Sequence, residues 1–183
     1  YDNGVSRGTE TADEYVSAVL DEQLSITEVE RGDSIPFEGA KVKVLNPKNV
    51  GDSGSEGSEN DVVVLKLVHG DNSFLFTGDI ESRSESRIVD STNVRADVMH
   101  VPHHGSSTSS TDVLLNEVNP EVAVISSPFD SQFGHPDPEV VSRYENRGTK
   151  LFWTATNGNV TVRSDGSNIE TTFERGEAND VTN

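Results

Sequence analysis

Apolar residues recur along this chain at two different spacings. Behind the sequence Thr11-Ala-Asp-Glu14, which has the form of a capping box, apolar side chains follow at helical spacing as far as residue 20. This pattern predicts an amphipathic helix over residues 11–22. Residues 25–29 and 41–45 then predict two short strands. Residues 46–60 are almost entirely Gly, Ser, Asn and acidic residues, which predicts a surface loop.

The middle of the chain predicts strands that alternate with helices. Two β-rich runs are joined by His69-Gly-Asp-Asn72, which indicates a hairpin. A later helix has clear signals at both ends, because Asp137-Pro138 supplies an N-cap and an N1 proline and Gly148 lies where a C′ glycine belongs. Strands are predicted over residues 62–68, 73–77, 97–101 and 121–126, and further helices over residues 81–90 and from Ser110-Thr111 to Asn119-Pro120.

The C-terminal part predicts strands separated by turns, and it ends in polar residues 174–183, which are expected to fray. Strands alternating with helices and finishing in hairpins indicate a layered α/β domain with a mixed sheet, and 183 residues suffice for one such domain. The predicted strands cover residues 150–154, 160–163 and 168–173, with turns at Asn157-Gly158 and Asp165-Gly166.

Composition restricts the possible chemistry. The chain has no cysteine, which excludes disulfides, thiolate metal ligands and a cysteine nucleophile. No apolar run reaches the roughly 18 residues that cross a bilayer. The net charge of −18 comes from dispersed acidic residues, a surface typical of salt-adapted, haloarchaeal proteins. Such a surface repels nucleic acid at low ionic strength, but in 1 M salt the Debye length falls to about 3 Å.

Candidate metal ligands follow three of the predicted strands. Asp79 comes directly after an apolar strand, His103 and His104 follow the next one, and His135 precedes the helix that Asp137 caps. Taken singly, these residues have ordinary alternatives: a turn aspartate, hydrogen-bonding surface histidines and a helix-entry histidine. Together, a carboxylate and imidazoles on neighbouring loops favour a Zn²⁺, Mn²⁺ or Fe site.

His69 and His100 are weaker candidates. His69 lies in the predicted hairpin turn and His100 lies within a strand. Both are therefore assigned to structural or solvent-exposed positions.

With these motifs the chain resembles the metallo-β-lactamase superfamily, in particular the ComEC-like branch associated with DNA uptake. Order, spacing and flanking residues agree from about residue 60 to Asn157-Gly158. The most diagnostic motif is Val101-Pro-His-His-Gly-Ser106. The other motifs are Phe76-Thr-Gly-Asp-Ile80, Pro120-Glu-Val-Ala-Val-Ile125 and Gly134-His-Pro-Asp-Pro-Glu139.

The resemblance implies an αββα sandwich with mixed sheets, of which residues 1–175 would form the C-terminal portion and residues 176–183 a polar acidic tail. The family's main metal motif, His-x-His-x-Asp-His, does not occur in this chain. We therefore expect an N-terminal half of the same domain to supply that motif. The alternative is a homologue that has lost its catalytic half.

The resemblance also implies a function, a metal-dependent phosphodiesterase or nuclease with two divalent ions (Zn²⁺ or Mn²⁺) and a metal-bound hydroxide as nucleophile. Asp79 would serve both metals, and one of His103 and His104, with His103 the first choice, would bind the second. His135 would be catalytic and contact substrate, while Ser106 and Asn60 would help to orient these groups.

Partners and location follow from the same resemblance. The substrate would be DNA or a small phosphodiester, and the location extracellular or at the cell surface, with the cytoplasm as the alternative. A catalytically degenerate binding module is the competing function.

Overall fold

The computed structural model describes residues 1–5, 8–51 and 62–181. The helices are α1 (Glu10–Asp21), α2 (Ser82–Ser91), α3 (Asp112–Val118), α4 (Pro138–Glu145) and α5 (Thr154–Asn157). The strands are β1 (Ser34–Phe37), β2 (Ala40–Asn46), β3 (Val64–His69), β4 (Asn72–Phe76), β5 (Val98–His100), β6 (Val122–Ile125), β7 (Lys150–Trp153), β8 (Val160–Ser164) and β9 (Ile169–Phe173).

Seven of these strands form one mixed sheet in the order β1-β2-β3-β4-β5-β6-β7. The pairs from β1 to β4 are antiparallel, and the pairs from β4 to β7 are parallel. Each parallel pair is connected through a helix, as parallel pairing requires. β8 and β9 form a separate hairpin. The mixed sheet confirms the predicted α/β class.

Alternate residues of the central strands face two different apolar clusters. Leu75, Met99 and Ala123 belong to the large core that α2, α3 and α4 cover, whereas their neighbours Val98 and Val122 belong to the smaller cluster. That smaller cluster includes residues of the β8–β9 hairpin. Because successive strand residues point to opposite faces, the sheet carries helices on one face and the hairpin on the other.

Several predicted elements are confirmed with small shifts of their bounds. The hairpin over His69-Gly-Asp-Asn72 forms between β3 and β4. Thr111 and Asp137 cap α3 and α4 through their side chains, as their sequence positions predict. The predicted helix over residues 81–90 is α2, and it begins one residue later.

The N-terminal predictions need correction. Thr9, not Thr11, caps α1, because its hydroxyl accepts a hydrogen bond from the Ala12 backbone N–H at 3.2 Å. None of the α1 residues is buried. The strand predicted over residues 25–29 is wrong, since within the described part of the chain the segment makes only an isolated bridge, from Glu28 to Asp2.

Strand β1 is absent from the sequence prediction. It contains Pro36, which has no backbone N–H and is therefore unfavourable inside a sheet. Among the described strands, β1 lies at the edge of the sheet and pairs only with β2, so a proline is tolerated there. Of the predicted 46–60 loop, residues 52–60 lie outside the described part of the chain.

Two predictions near the C-terminus are also wrong. Asn157-Gly158 ends helix α5 instead of joining two paired strands, and β7 pairs with β6. The described part of the segment predicted to fray, residues 174–181, is attached to β7 through Asn179, whose backbone N–H donates to the Leu151 carbonyl at 2.7 Å, and residues 182–183 lie outside the described residues. The Asn179 side-chain oxygen accepts from the Leu151 N–H, also at 2.7 Å. No helix among the described residues is long and apolar enough to cross a membrane.

A buried carboxylate joins α2 to the start of α3. Glu85 is fully buried, and one of its oxygens accepts from the Ser110 N–H at 2.6 Å. The other oxygen accepts from the N–H and the hydroxyl of Thr111, at 2.9 and 2.6 Å. Burial raises the pKa of Glu85, against the opposing effect of these hydrogen bonds.

We expect Glu85→Gln to lower the free energy of unfolding by about 1–3 kcal/mol, because the amide NH₂ group would face a backbone donor. Urea unfolding measures this change. Glu139→Gln, on an 85% exposed side chain of α4, is the control and should change stability by less than about 0.5 kcal/mol. Equal midpoints for the two variants would contradict the assigned role of Glu85.

The raised pKa also fixes the sign of a pH dependence. The folded protein holds the Glu85 proton more tightly than the unfolded chain, so this group's contribution to stability falls as the pH rises through the folded-state pKa. The stability advantage of the native protein over Glu85→Gln should therefore narrow as the pH rises above 4.5, the ordinary pKa of the group. Urea unfolding across this range tests the sign, and a widening advantage would contradict it.

Candidate functional site

Asp79 lies in a tight turn at the carboxyl end of β4. Gly78 precedes it with a φ of +54°, and a Cβ at that position would collide with the Val62 side chain. The buried Thr77 hydroxyl donates to the His100 carbonyl at 2.8 Å, which fixes the end of β4 to the end of β5. The turn therefore presents the Asp79 carboxylate at the edge where β5 also ends.

The two histidines after β5 have an uncommon backbone conformation. His103 and His104 both have positive φ, 50° and 56°, a region that non-glycine residues seldom occupy. The His103 N–H donates to the Gly78 carbonyl at 3.1 Å, so the Asp79 turn helps to hold this conformation. Non-glycine residues held in this conformation destabilise the folded state by about 1–3 kcal/mol each and are concentrated at functional sites.

Of the two histidines, His104 faces Asp79. Its Nε2 lies 3.7 Å from Asp79 Oδ1, and both side chains are about half exposed. Its Nδ1 lies 2.6 Å from the Ser126 carbonyl oxygen, which can only accept a hydrogen bond. Nδ1 therefore donates this hydrogen bond, which leaves Nε2 as the ring nitrogen that faces the carboxylate.

This pair has the chemistry of two ligands of one metal ion. Two ligands bonded at about 2.0–2.2 Å to a tetrahedral ion lie about 3.3–3.5 Å apart, close to the observed separation. A carbonyl acceptor on the second ring nitrogen is the usual partner of a metal-binding histidine. Within the described ranges, no group of three or more metal-binding side chains occurs. The residues present thus fit part of a metal site.

His103 points elsewhere. Its Nδ1 is buried without a hydrogen-bond partner among the described residues and lies 3.6 Å from Glu81 Oε1. The same Glu81 oxygen accepts a hydrogen bond from the Thr108 hydroxyl at 2.6 Å. Sequence reasoning missed Glu81, although it lies only two residues after Asp79 at the same strand end.

His135 lies beside His103, with their ring centroids 5.8 Å apart in an edge-on arrangement. The backbone N–H of Asp137 donates to the Gly105 carbonyl at 2.9 Å, which attaches the His135 loop to the His-His loop. Burial, followed by the charges of His103 and His104, lowers the pKa of His135. The ring is consequently neutral near pH 7.

The remaining predicted site residues are less informative. Ser106 is buried, and its hydroxyl pairs with that of Thr108 at 3.0 Å, so it supports the loop from within. Its predicted role in substrate binding stays a prediction. Asn60 lies outside the described residues.

His69 and His100 have structural partners, as expected. His69 Nδ1 lies 3.0 Å from the Ser164 hydroxyl, and His100 Nδ1 lies 3.2 Å from the Thr77 hydroxyl. Burial lowers the pKa of His100.

A cavity of about 580 Å³ opens next to His104. The loop that follows β6 forms most of its wall, together with His135 and Thr154. The buried Trp153 anchors this loop, because its indole N–H donates to the Ser127 carbonyl and hydroxyl at 3.0 and 2.7 Å. The sequence gives no signal for this cavity, since its wall comes from residues that are individually unremarkable.

Comparison with known proteins identifies relatives of this chain. ComE operon protein 3 of Bacillus subtilis (strain 168) is 31% identical over 157 residues, which are 85% of this chain and 20% of that protein. Competence protein ComA of Neisseria gonorrhoeae is 35% identical over 127 residues, 67% of this chain and 18% of that protein. Recombination protein 2 of Haemophilus influenzae is 35% identical over 126 residues, which are 69% of this chain and 16% of that protein.

The chain thus spans about a fifth or less of the length of these curated relatives. A family model gives the broader assignment, because it matches residues 13–128, more than half of the chain. On this evidence, the chain belongs to the metallo-β-lactamase superfamily.

Proposed function

We propose that this chain carries part of the active site of a metal-dependent hydrolase that cleaves phosphodiester bonds. The observation that carries the proposal is the facing pair of His104 Nε2 and Asp79 Oδ1 at 3.7 Å, with the His104 tautomer fixed by Ser126. Members of the superfamily are generally hydrolases and typically bind divalent metal ions. The pair provides two ligands of the kind that Zn²⁺ and Mn²⁺ accept.

In this proposal Asp79 and His104 hold metal, and the remaining ligands come from the N-terminal half expected for the same domain. When bound, divalent ions polarise phosphoryl oxygens and lower the pKa of water. Asp79 is half exposed, so its carboxylate is open to solvent and able to serve one ion or two. His104 is the proposed ligand of the histidine pair, since His103 faces Glu81.

His135 is proposed to position the substrate. Its lowered pKa leaves a neutral ring near pH 7, which suits a hydrogen-bond donor to a phosphoryl oxygen or the leaving group better than a general acid. Ser106 and Asn60 remain proposed supporting residues of the same site.

The names of two relatives support DNA as the substrate class, because one refers to competence and the other to recombination. A small phosphodiester is the alternative. With a net charge of −18, we expect DNA binding to require high ionic strength, where the repulsion is screened. We also propose that the domain works outside the cell or at its surface.

One observation favours a second candidate, a binding module that keeps the fold without the metals. The described residues contain no group of three metal-binding side chains. Such a module would retain no stoichiometric metal in the complete, folded protein. Metal analysis therefore distinguishes the two functions.

We expect Asp79→Ala in the complete protein to reduce phosphodiester hydrolysis by more than about 100-fold. Loss of a direct metal ligand should have a larger effect than loss of a residue that only hydrogen-bonds to a ligand. The variant should remain folded, since Asp79 lies half exposed in a turn. Asp90→Ala, on the exposed side of α2, should retain native turnover. Native turnover by Asp79→Ala would refute the assignment.

A second pair of variants distinguishes the histidines. His104→Asn should weaken Zn²⁺ or Mn²⁺ binding by more than about 100-fold in calorimetric titration, whereas His103→Asn should weaken it by less than about tenfold. The two variants are matched, because both positions have positive φ and asparagine tolerates that conformation. If His103→Asn weakened metal binding more than His104→Asn, His103 and not His104 would be the ligand.

A further inference from the structure

Phe133 is the most exposed large apolar side chain among the described residues, at 72%. It lies in the loop between β6 and α4, two residues before His135. A turn in which the Gly134 N–H donates to the Ser131 carbonyl at 2.9 Å holds the ring at the surface. Phe129 in the same loop is different, because its ring packs on the buried Trp153 with centroids 4.8 Å apart. The loop thus packs one phenylalanine, 51% exposed, on Trp153 and presents the other more fully to solvent.

The presented ring continues a row of rings that leads into the site. Phe133 and His135 lie nearly parallel, with centroids 6.0 Å apart and an angle of 26° between their planes. His135 in turn lies against His103. Because one face of Phe133 is directed at His135 and the side chain is 72% exposed, a second flat group has room to stack on the ring.

The cavity beside His104 joins this ring to one of the two proposed metal ligands, His104. Its volume of about 580 Å³ is within the usual range of about 300–1,000 Å³ for small-molecule sites. Phe133 and His104 both line it, together with Ser126, Ser127, Ser131 and Thr154. Among the described residues that line it, Asp130 is the one charged residue other than histidine. A neutral, flat group with hydrogen-bonding edges therefore suits this wall better than a further phosphate.

We propose that Phe133 forms a stacking subsite for a nucleobase of the substrate, with the attached phosphate directed toward Asp79 and His104. This inference rests on the proposed function and specifies its substrate class as a nucleotide or nucleic acid with an unpaired base. Stacking accepts any base, because every base has a π-face. The subsite accordingly selects for the presence of a base and not for its identity.

The test compares two phosphate ligands, dAMP and deoxyribose 5-phosphate, in which the same sugar carbon carries adenine or a hydroxyl group. Calorimetric titration of the full-length protein with Mn²⁺ and high salt measures both dissociation constants. We expect dAMP to bind about 5- to 150-fold more tightly, which corresponds to a stacking contribution of about 1–3 kcal/mol. Phe133→Ala should make the two dissociation constants equal without changing the affinity for deoxyribose 5-phosphate. Phe133→Trp should preserve it.

Phe37→Ala is the matched control, because it removes a ring that is 62% exposed on the edge strand β1. It should leave the ratio unchanged. Equal affinity of the native protein for the two ligands would overturn the stacking subsite and leave the proposed hydrolase intact. An unchanged ratio of the two dissociation constants in Phe133→Ala would have the same meaning. Absence of binding by either ligand would overturn both the phosphate site and the subsite.

Discussion

The parallel pairing of β4, β5 and β6 is the constraint on which the site depends. Parallel strands end at the same edge of a sheet, so the three loops that follow them must meet there. That edge receives a carboxylate from the first loop, two imidazoles from the second and a cavity wall from the third. The antiparallel strands on the other side of β4 extend the sheet but contribute no member of this group among the described residues.

Hydrogen bonds to backbone carbonyls then fix the orientation of these neighbouring groups. The Thr77 hydroxyl joins the ends of β4 and β5, and the Gly78 carbonyl receives the His103 N–H. The Ser126 carbonyl, at the end of β6, selects the tautomer of His104. Each of the three strand ends thus contributes a backbone or side-chain contact that fixes its neighbour. The acidic side chain and the imidazole are held before any ligand arrives, a preorganisation that lowers the cost of binding.

Much of this arrangement can be predicted from the sequence, because strong local signals produced it. Apolar runs, the His69-Gly-Asp-Asn72 turn and the caps at Thr111 and Asp137 determine their elements locally. The choice between His103 and His104 cannot be predicted in the same way, since it depends on two consecutive left-handed residues that alternation rules do not describe. The edge strand β1 likewise forms through pairing with β2 despite its proline, and tertiary contacts there outweigh the local preference.

The burial of Trp153 has a practical consequence. It is the single tryptophan of the chain, so the intrinsic fluorescence of the domain comes chiefly from one indole at a known place. That indole is hydrogen-bonded to Ser127 and lies against Phe129, at the base of the loop that lines the cavity. Its emission wavelength reports whether water reaches this base. The molecule therefore contains its own optical probe of how firmly the loop beside the site is attached to the sheet.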